Sequence, residues 1–168
     1  CEGLSLGCDK IKLQIKEETM KFQADREVFS DAISFVVRLL SPKPTLPQLS
    51  GVMIGAENNE VVLSVFDYEV SARVTIAAAV DAPGKVLVQG RLLSEIISKL
   101  PGETVSLNLL ESRLQLLSGS SKFTLSSMSI ADYPDTPDMP VGTGKVNAAD
   151  FAHAVAQVAV AASKEEVT

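Results

Sequence analysis

Few residues of this 168-residue sequence have the types and spacing that catalysis needs. A general base must lie within hydrogen-bond reach of its nucleophile. The single histidine, His153, lies in an alanine-rich segment without a serine or cysteine beside it, so we interpret it as a solvated surface residue. Residues 142–145 (GTGK) match the end of a phosphate-binding loop, but Met139 stands where that loop begins with glycine, and Val146 replaces its Ser or Thr. The sequence gives little support to an enzyme.

Two groups of carboxylates could bind a hard cation, namely Asp67 with Glu69, and Asp132 with Asp135 and Asp138. Neither spacing matches a calcium-binding loop. A turn explains the first group, and a solvated linker explains the second. We therefore expect neither a metal nor a cofactor.

Charge and cysteine usage narrow the class of protein. Fifteen Lys and Arg against 21 Asp and Glu give a net charge of −6, which excludes a general polybasic surface for nucleic acid. The longest apolar runs, such as 76–80 and 158–162, are far shorter than the roughly 20 residues of a membrane helix. Both cysteines fall in the first eight residues, which is typical of a reducing compartment without a disulfide framework. We expect a cytoplasmic protein that does not enter a membrane.

The elements that position the candidate residues follow the order strand, helix and strand meander, and this order occurs twice. Apolar residues at helical spacing predict amphipathic helices over 26–40 and 91–100, and the three prolines of 41–47 end the first. The apolar stripe of each helix, which is predicted to be buried, consists of Val28, Phe29, Ala32, Ile33, Val36, Val37 and Leu40 in the first, and of Leu92, Leu93, Ile96, Ile97 and Leu100 in the second. Alternation and turn residues predict strands at 49–56, 60–66, 69–79, 85–88, 105–109, 114–117 and 123–125, after a pattern that begins at Met20.

An internal repeat supports this organisation. Residues 21–33 align with 85–97 at an offset of 64, with Ser30 over Ser94 and Ile33 over Ile97. Chance matches between amphipathic helices could produce such an alignment, but the parallel order of the surrounding elements favours a true repeat of units too small to fold alone.

The two ends of the sequence differ from this pattern. Residues 1–19 mix Lys and Glu without a clear period and are interpreted as an extension, although 11–15 alternate and could form a short edge strand. Residues 127–144 lose periodicity and predict a linker with a boundary near Gly144. A third helix is predicted over 148–163, and its missing strands indicate a unit cut short.

At several points the sequence resembles the bacterial sliding clamp. This family is the beta subunit of DNA polymerase III, which acts as the processivity factor of the polymerase. The resemblance runs from about Met20 to Thr168 and leaves out residues 1–19. The residues that carry it, in order, are Met20-Lys21-Phe22, Lys43-Pro44-Thr45-Leu46-Pro47, Leu49-Ser50-Gly51-Val52, Phe66-Asp67-Tyr68-Glu69, Gly90-Arg91-Leu92-Leu93, Phe123-Thr124-Leu125 and Asp132-Tyr133-Pro134.

The resemblance implies an α+β DNA-clamp fold, with a pseudo-two-fold pair of strand-helix-meander units and two helices packed on antiparallel sheets. It implies that residues 20–144 are the first clamp domain with its linker, and that 145–168 are the first strand and helix of a truncated second domain. Three such domains per subunit would form a two-subunit ring that encircles duplex DNA. The implied partners are DNA of any sequence, a second clamp subunit, the replicative polymerase and the clamp loader.

The resemblance also implies which residues face DNA. Lys43 lies between two prolines in the loop after the first helix, and Arg91 begins the second helix. Arg38 and Lys99 are further candidates on spacing alone. Residues 26–43 and 91–99 each carry a net charge of +1, so the rest of the chain totals −8. A few such contacts with phosphates would give weak, sequence-independent binding, which suits a sliding ring.

Three residues match the subunit interface of the family, namely Ile96, Phe123 and Leu125. Each could instead belong to the core. For Ile96, which lies on the apolar stripe of its helix, a place in the core and a place in the interface are equally supported. Phe123 is the stronger candidate, because a terminal strand offers an edge for pairing between subunits. The alternative to a clamp is a stand-alone α+β module that binds another protein through such an edge and does not contact DNA.

Overall fold

The computed structural model describes residues 20–134 and 141–162, which belong to two compact units divided after Thr136. Each unit is described by itself. The larger unit contains the helices α1 (Arg26–Arg38) and α2 (Gly90–Lys99), and a short 3-10 helix at Pro47–Ser50. Its strands are β1 (Lys21–Asp25), β2 (Gly51–Glu57), β3 (Glu60–Phe66), β4 (Ser71–Ala77), β5 (Ala79–Ala82), β6 (Gly84–Gln89), β7 (Thr104–Leu110), β8 (Arg113–Ser118) and β9 (Ser121–Ser126).

The strands form two antiparallel sheets. Sheet A has the order β5-β1-β7-β8-β9 and sheet B the order β4-β3-β2-β6. Apart from β5, the two orders are equivalent: β1 followed by the meander β7-β8-β9 corresponds to β6 followed by β2-β3-β4. Each meander therefore pairs with the first strand of the other repeat. The predicted α+β class, with two helices on antiparallel sheets, is confirmed.

Helix α1 forms where the sequence provides both a cap and an apolar face. Asp25 caps it, since its Oδ1 accepts a hydrogen bond from the backbone N–H of Val28 at 2.9 Å. Phe29, Ile33 and Val36 are fully buried in the core between the helices and the sheets. The Phe29 ring meets Phe22 of β1 edge to face, with 6.0 Å between ring centroids.

Helix α2 runs antiparallel to α1, and contacts at both ends show it. A Cβ built on Gly90, the first residue of α2, would lie 2.8 Å from Leu40 and 3.2 Å from Val37, which belong to the end of α1. At the other end, Arg26 begins α1 and donates from Nε to the carbonyl of Gly102, just after α2, at 2.8 Å. The end of α1 therefore lies beside the start of α2.

Two stretches differ from the strand and linker predictions. The run predicted as one strand over 69–79 is divided, because β4 pairs with β3 in sheet B whereas β5 pairs with β1 in sheet A.

Residues 127–134, predicted as linker, pack on the larger unit: the N–H of Met128 donates to the carbonyl of Leu87 at 2.7 Å. Tyr133 is buried, its hydroxyl accepts the N–H of Phe66 at 2.9 Å, and burial raises its pKa. One backbone hydrogen bond and one buried side chain produce no periodic pattern in the sequence, so the pattern could not predict this packing.

The smaller unit contains helix α3 (Ala148–Ala159). Asn147 caps it, since its side-chain oxygen accepts the N–H groups of Ala149 and Asp150. Residues 141–147 are irregular, whereas the family resemblance implied a strand at the start of 145–168. The segment 1–19, with its alternative strand at 11–15, lies outside the described residues. Within the described ranges, no helix is long and apolar enough to cross a membrane.

Candidate functional site

The outward surface of the two helices brings together most of the basic residues selected from the sequence. We call the exposed residues of α1 and α2, together with Lys43, the helix face. Arg38 lies in the last turn of α1, Lys43 follows five residues later, and Arg91 lies in the first turn of α2; all three are exposed. Because the helices are antiparallel, these three residues lie toward the same end of the pair. We call this part the basic end.

Lys99 lies toward the other end of the helix face, roughly 12 Å from Arg91 along the helix axis at about 1.5 Å per residue. Its Nζ contacts Oε1 of Glu95 at 2.6 Å, with both side chains well exposed. The hydrogen bond and the charge of Lys99 lower the pKa of Glu95. The structure therefore separates Lys99 from the other three candidates and pairs it with a carboxylate.

The acidic residues of the helix face are equally segregated. Glu27 and Asp31 lie in the first half of α1, and Glu95 lies in the second half of α2, so all three are toward the end that holds Lys99. Segments 34–43 and 90–94, which form the basic end, contain no Asp or Glu. The sequence shows a net charge of +1 for each of the segments 26–43 and 91–99. It does not show this polarity, because the polarity depends on the antiparallel packing of the helices.

Local structure orients the groups of the basic end. Lys43 lies between Pro42 and Pro44, which fix the backbone, and its N–H donates to Oγ of Ser41 at 3.3 Å. The first turn of α2 has no side-chain cap on Gln89, so the backbone N–H groups beside Arg91 add a partial positive charge. Exposed cations beside the N–H groups of a helix N-terminus are an arrangement that favours phosphate-like anions.

The three residues predicted for a subunit interface lie in different environments. Strand β9 is an edge of sheet A, and Phe123 in it is 40% exposed. Leu125, two residues on, is 4% exposed and belongs to the core of its own unit, so only its backbone lies at the edge. Ile96 is partly buried and packs against the same core. Of the three side chains, Phe123 is the one available to a partner.

Within residues 20–134 and 141–162, the structure does not bring together the residues considered for catalysis or metal binding. His153 is exposed on α3, where its Nε2 lies 3.2 Å from the amide nitrogen of Gln157. Asp67 closes a turn, since its Oδ1 accepts the N–H groups of Glu69 and Val70. Among the described residues no group of three or more His, Cys, Asp or Glu could hold a metal ion. Asp135 and Asp138 lie outside those residues.

Comparisons with known proteins agree with this architecture. A family model described as DNA polymerase III beta subunit, N-terminal domain, matches residues 20–137. The beta sliding clamp of Micrococcus luteus is 47% identical over 147 residues, which cover 88% of this chain and 47% of that protein. The beta sliding clamp of Streptomyces coelicolor is 42% identical over 147 residues, with 88% of this chain and 39% of that protein covered.

Solved structures give the same result. Caulobacter crescentus pol III beta superimposes with a TM-score of 0.82 at 26% identity, over 88% of this chain and 40% of that chain. The beta subunit from DNA polymerase of Streptococcus pyogenes gives a TM-score of 0.80 at 26% identity, over 87% and 40% of the two chains. The present chain thus spans less than half the length of the relatives it matches.

Proposed function

Because this chain belongs to the bacterial beta sliding clamp family, the beta subunits of DNA polymerase III, we propose that it supplies the first domain of a ring that encircles duplex DNA. In this role it is a non-catalytic processivity factor in the bacterial cytoplasm, and its partners are DNA, a second clamp subunit, the replicative polymerase and the clamp loader. The observation that carries the proposal is the basic end of the helix face. The family match favours this function over a stand-alone interaction module.

The chemistry of the basic end suits a contact that must slide. Arg38, Lys43 and Arg91 are exposed, and each can neutralise one phosphate without reading a base. Three phosphate contacts predict that the logarithm of the binding constant falls with the logarithm of salt with a slope of about −3. Lys99 can add a fourth contact by exchanging Glu95 for a phosphate, because an exposed ion pair is worth little. The acidic opposite end limits the total affinity, so the contact stays weak.

The first prediction tests the basic end directly. The double variant Lys43→Glu with Arg91→Glu should abolish the weak, salt-sensitive binding of the 168-residue chain to a duplex oligonucleotide, measured by fluorescence anisotropy at low salt. It should also shorten retention on nicked circular DNA of a chimera in which residues 20–134 replace the matching part of the Micrococcus luteus clamp.

The matched control makes the same charge change on the opposite side of the unit. Arg73→Glu with Lys85→Glu alters two exposed basic residues on the outward face of sheet B and should leave DNA retention near that of the parent protein. Equal losses in both double variants would show that net charge matters and that the basic end has no special role.

For assembly, we propose that the open edge of β9 meets the second clamp subunit, with Phe123 as the side chain that enters the contact. Ile96 packs against the core of its own unit and is not part of this proposed contact, and Leu125 contributes its backbone only. An exposed aromatic residue on an unpaired edge strand provides both apolar area and hydrogen-bonding groups for pairing.

The second prediction follows from this placement. Phe123→Glu in the same chimera should weaken subunit association by at least tenfold, measured by sedimentation velocity over a concentration series, because a charge would be desolvated in the contact. Leu110→Glu is the control, since Leu110 is also exposed in sheet A but lies in the interior strand β7. Association unchanged by Phe123→Glu would remove β9 from the proposed interface.

A further inference from the structure

The outward face of sheet B carries a groove of about 740 Å³ that neither the helix face nor the β9 edge includes. Strands β2 and β3 form its floor. Segment 127–134 forms one wall through Ile130, Tyr133 and Pro134, and the β2-β3 hairpin forms the opposite end. The Met128 and Tyr133 hydrogen bonds fasten the wall, so the groove is preformed within this unit.

The floor lacks a side chain at its centre, where Gly55 lies beside the apolar side chains of Met53 and Val62. Gly55 of β2 pairs with Val62 of β3 on one side and with Lys85 of β6 on the other. A Cβ on Gly55 would meet only the Cγ of Lys85, at 3.8 Å, which is an ordinary contact. Glycine is therefore not required there by packing, and its effect is to leave the floor open between Met53 and Val62.

Positive and negative charges lie at opposite ends of the groove along the strands. Arg73 lies at the end near the wall, where it pairs in register with Ser64 of β3. Glu57 and Glu60 face each other directly at the hairpin end, held in place by the positive φ angles of Asn58 and Asn59. Like charges directly opposite on a sheet destabilise it.

None of Arg73, Glu57 and Glu60 forms an ion pair within the described part of the chain. Ser64 and Glu60 are four residues apart on β3, which places the positive and negative ends roughly 14 Å apart at about 3.4 Å per residue. Lys85 is diagonal to Glu57 and partly offsets its charge.

We propose that this groove docks an extended segment of a partner protein that carries a carboxylate and, about four residues away, a lysine or arginine. The carboxylate pairs with Arg73, and the cation relieves the repulsion between Glu57 and Glu60. The residues between them are small and apolar, and they fill the space over Gly55 and Val62. An extended chain has the same rise per residue as the floor strands, so four residues match the distance between the charges. The two glutamates exclude a nucleic acid, whose phosphates they would repel.

The experiment uses a defined probe and the whole 168-residue chain. The probe is the labelled peptide Gly-Asp-Ala-Val-Ala-Lys-Gly, blocked at both ends, added to ¹⁵N-labelled protein. We expect saturable NMR shifts centred on the amides of Gly55 and Val62, which weaken with added salt. A peptide with Asp at both charged positions should bind at least fivefold more weakly. Shifts spread over the surface, or equal binding of the two peptides, would overturn the proposal.

Two variants separate docking from folding. Arg73→Glu should weaken binding at least fivefold, whereas Arg113→Glu, an exposed arginine of sheet A outside the groove, should leave it unchanged. Gly55→Val should block the floor and abolish binding while the protein stays folded, because its Cβ has room and valine favours strands. Binding that survives both Arg73→Glu and Gly55→Val would place the peptide elsewhere and refute the groove as its site. These outcomes do not depend on DNA binding, so they are independent of the proposed clamp function.

Discussion

Replacing Phe29 with alanine is expected to lower the free energy of unfolding by about 3–5 kcal/mol. Phe29 is fully buried in the core shared by both sheets and both helices, and its ring meets Phe22 of β1 edge to face. The substitution removes that aromatic contact and leaves a cavity where helix α1 meets sheet A. Since an ordinary domain is stable by only about 5–15 kcal/mol, a loss of this size should shift the urea midpoint of the 168-residue chain strongly.

The control lies on the same helix and has the same chemistry. Phe35 is 52% exposed on α1, so Phe35→Ala removes a similar side chain with little change in buried area. Its effect should be below about 1 kcal/mol, as for most surface substitutions. Similar losses at the two positions would mean that Phe29 does not occupy the core position described.

Local sequence pattern was sufficient for the helices. The apolar stripe of α1 predicted burial at Phe29, Ile33 and Val36, and the structure buries all three. The same stripe included Val28, which is 49% exposed. Helical spacing gives the direction of a face, but the width of the buried strip depends on which strands and helix lie against it.

Local pattern was insufficient for the sheets. Alternation continues almost unbroken from β4 into β5, yet Ala78 separates two strands that belong to different sheets. The partner of β5 is β1, more than 50 residues earlier in the sequence, and no local signal reports such a pairing. The burial of Tyr133 could not be predicted for a related reason. A single buried side chain in an aperiodic segment is indistinguishable from a linker residue.

At the candidate site, too, the sequence predicted the residues but not how the packing arranges them. Residue types and family resemblance selected Arg38, Lys43 and Arg91, but only the antiparallel helices gather them at one end and leave Lys99 at the other. Phe123 and Leu125 point to the same side of β9 by alternation, yet one is exposed and the other buried. Alternation identifies the face of a strand and does not show how far along the strand the core extends.

Replacing Gly90 with alanine is expected to have the second large effect on stability. Helix propensity and core packing predict opposite signs for this effect. Helix propensity alone predicts that Gly90→Ala, at the first position of α2, stabilises the protein by up to about 1 kcal/mol. The packing predicts the opposite, because the new Cβ would lie 2.6 Å from Cγ2 of Val52 and 2.8 Å from Cδ1 of Leu40. Both neighbours are buried, so neither has room to move, and overpacking of this kind costs about 1–3 kcal/mol. We expect the packing to dominate and Gly90→Ala to be clearly destabilising.

Gly55→Ala provides the comparison, because it adds the same methyl group where its Cβ would meet only Lys85 at 3.8 Å. It should be neutral or slightly stabilising, since alanine restricts the unfolded chain more than glycine does. Urea unfolding of both variants beside the parent chain measures the difference. If Gly90→Ala were as stable as Gly55→Ala, α2 would not rest tightly on the end of α1. The contact that brings Arg91 beside Arg38 and Lys43 would then be looser than the structure shows, and the basic end would lose its structural basis.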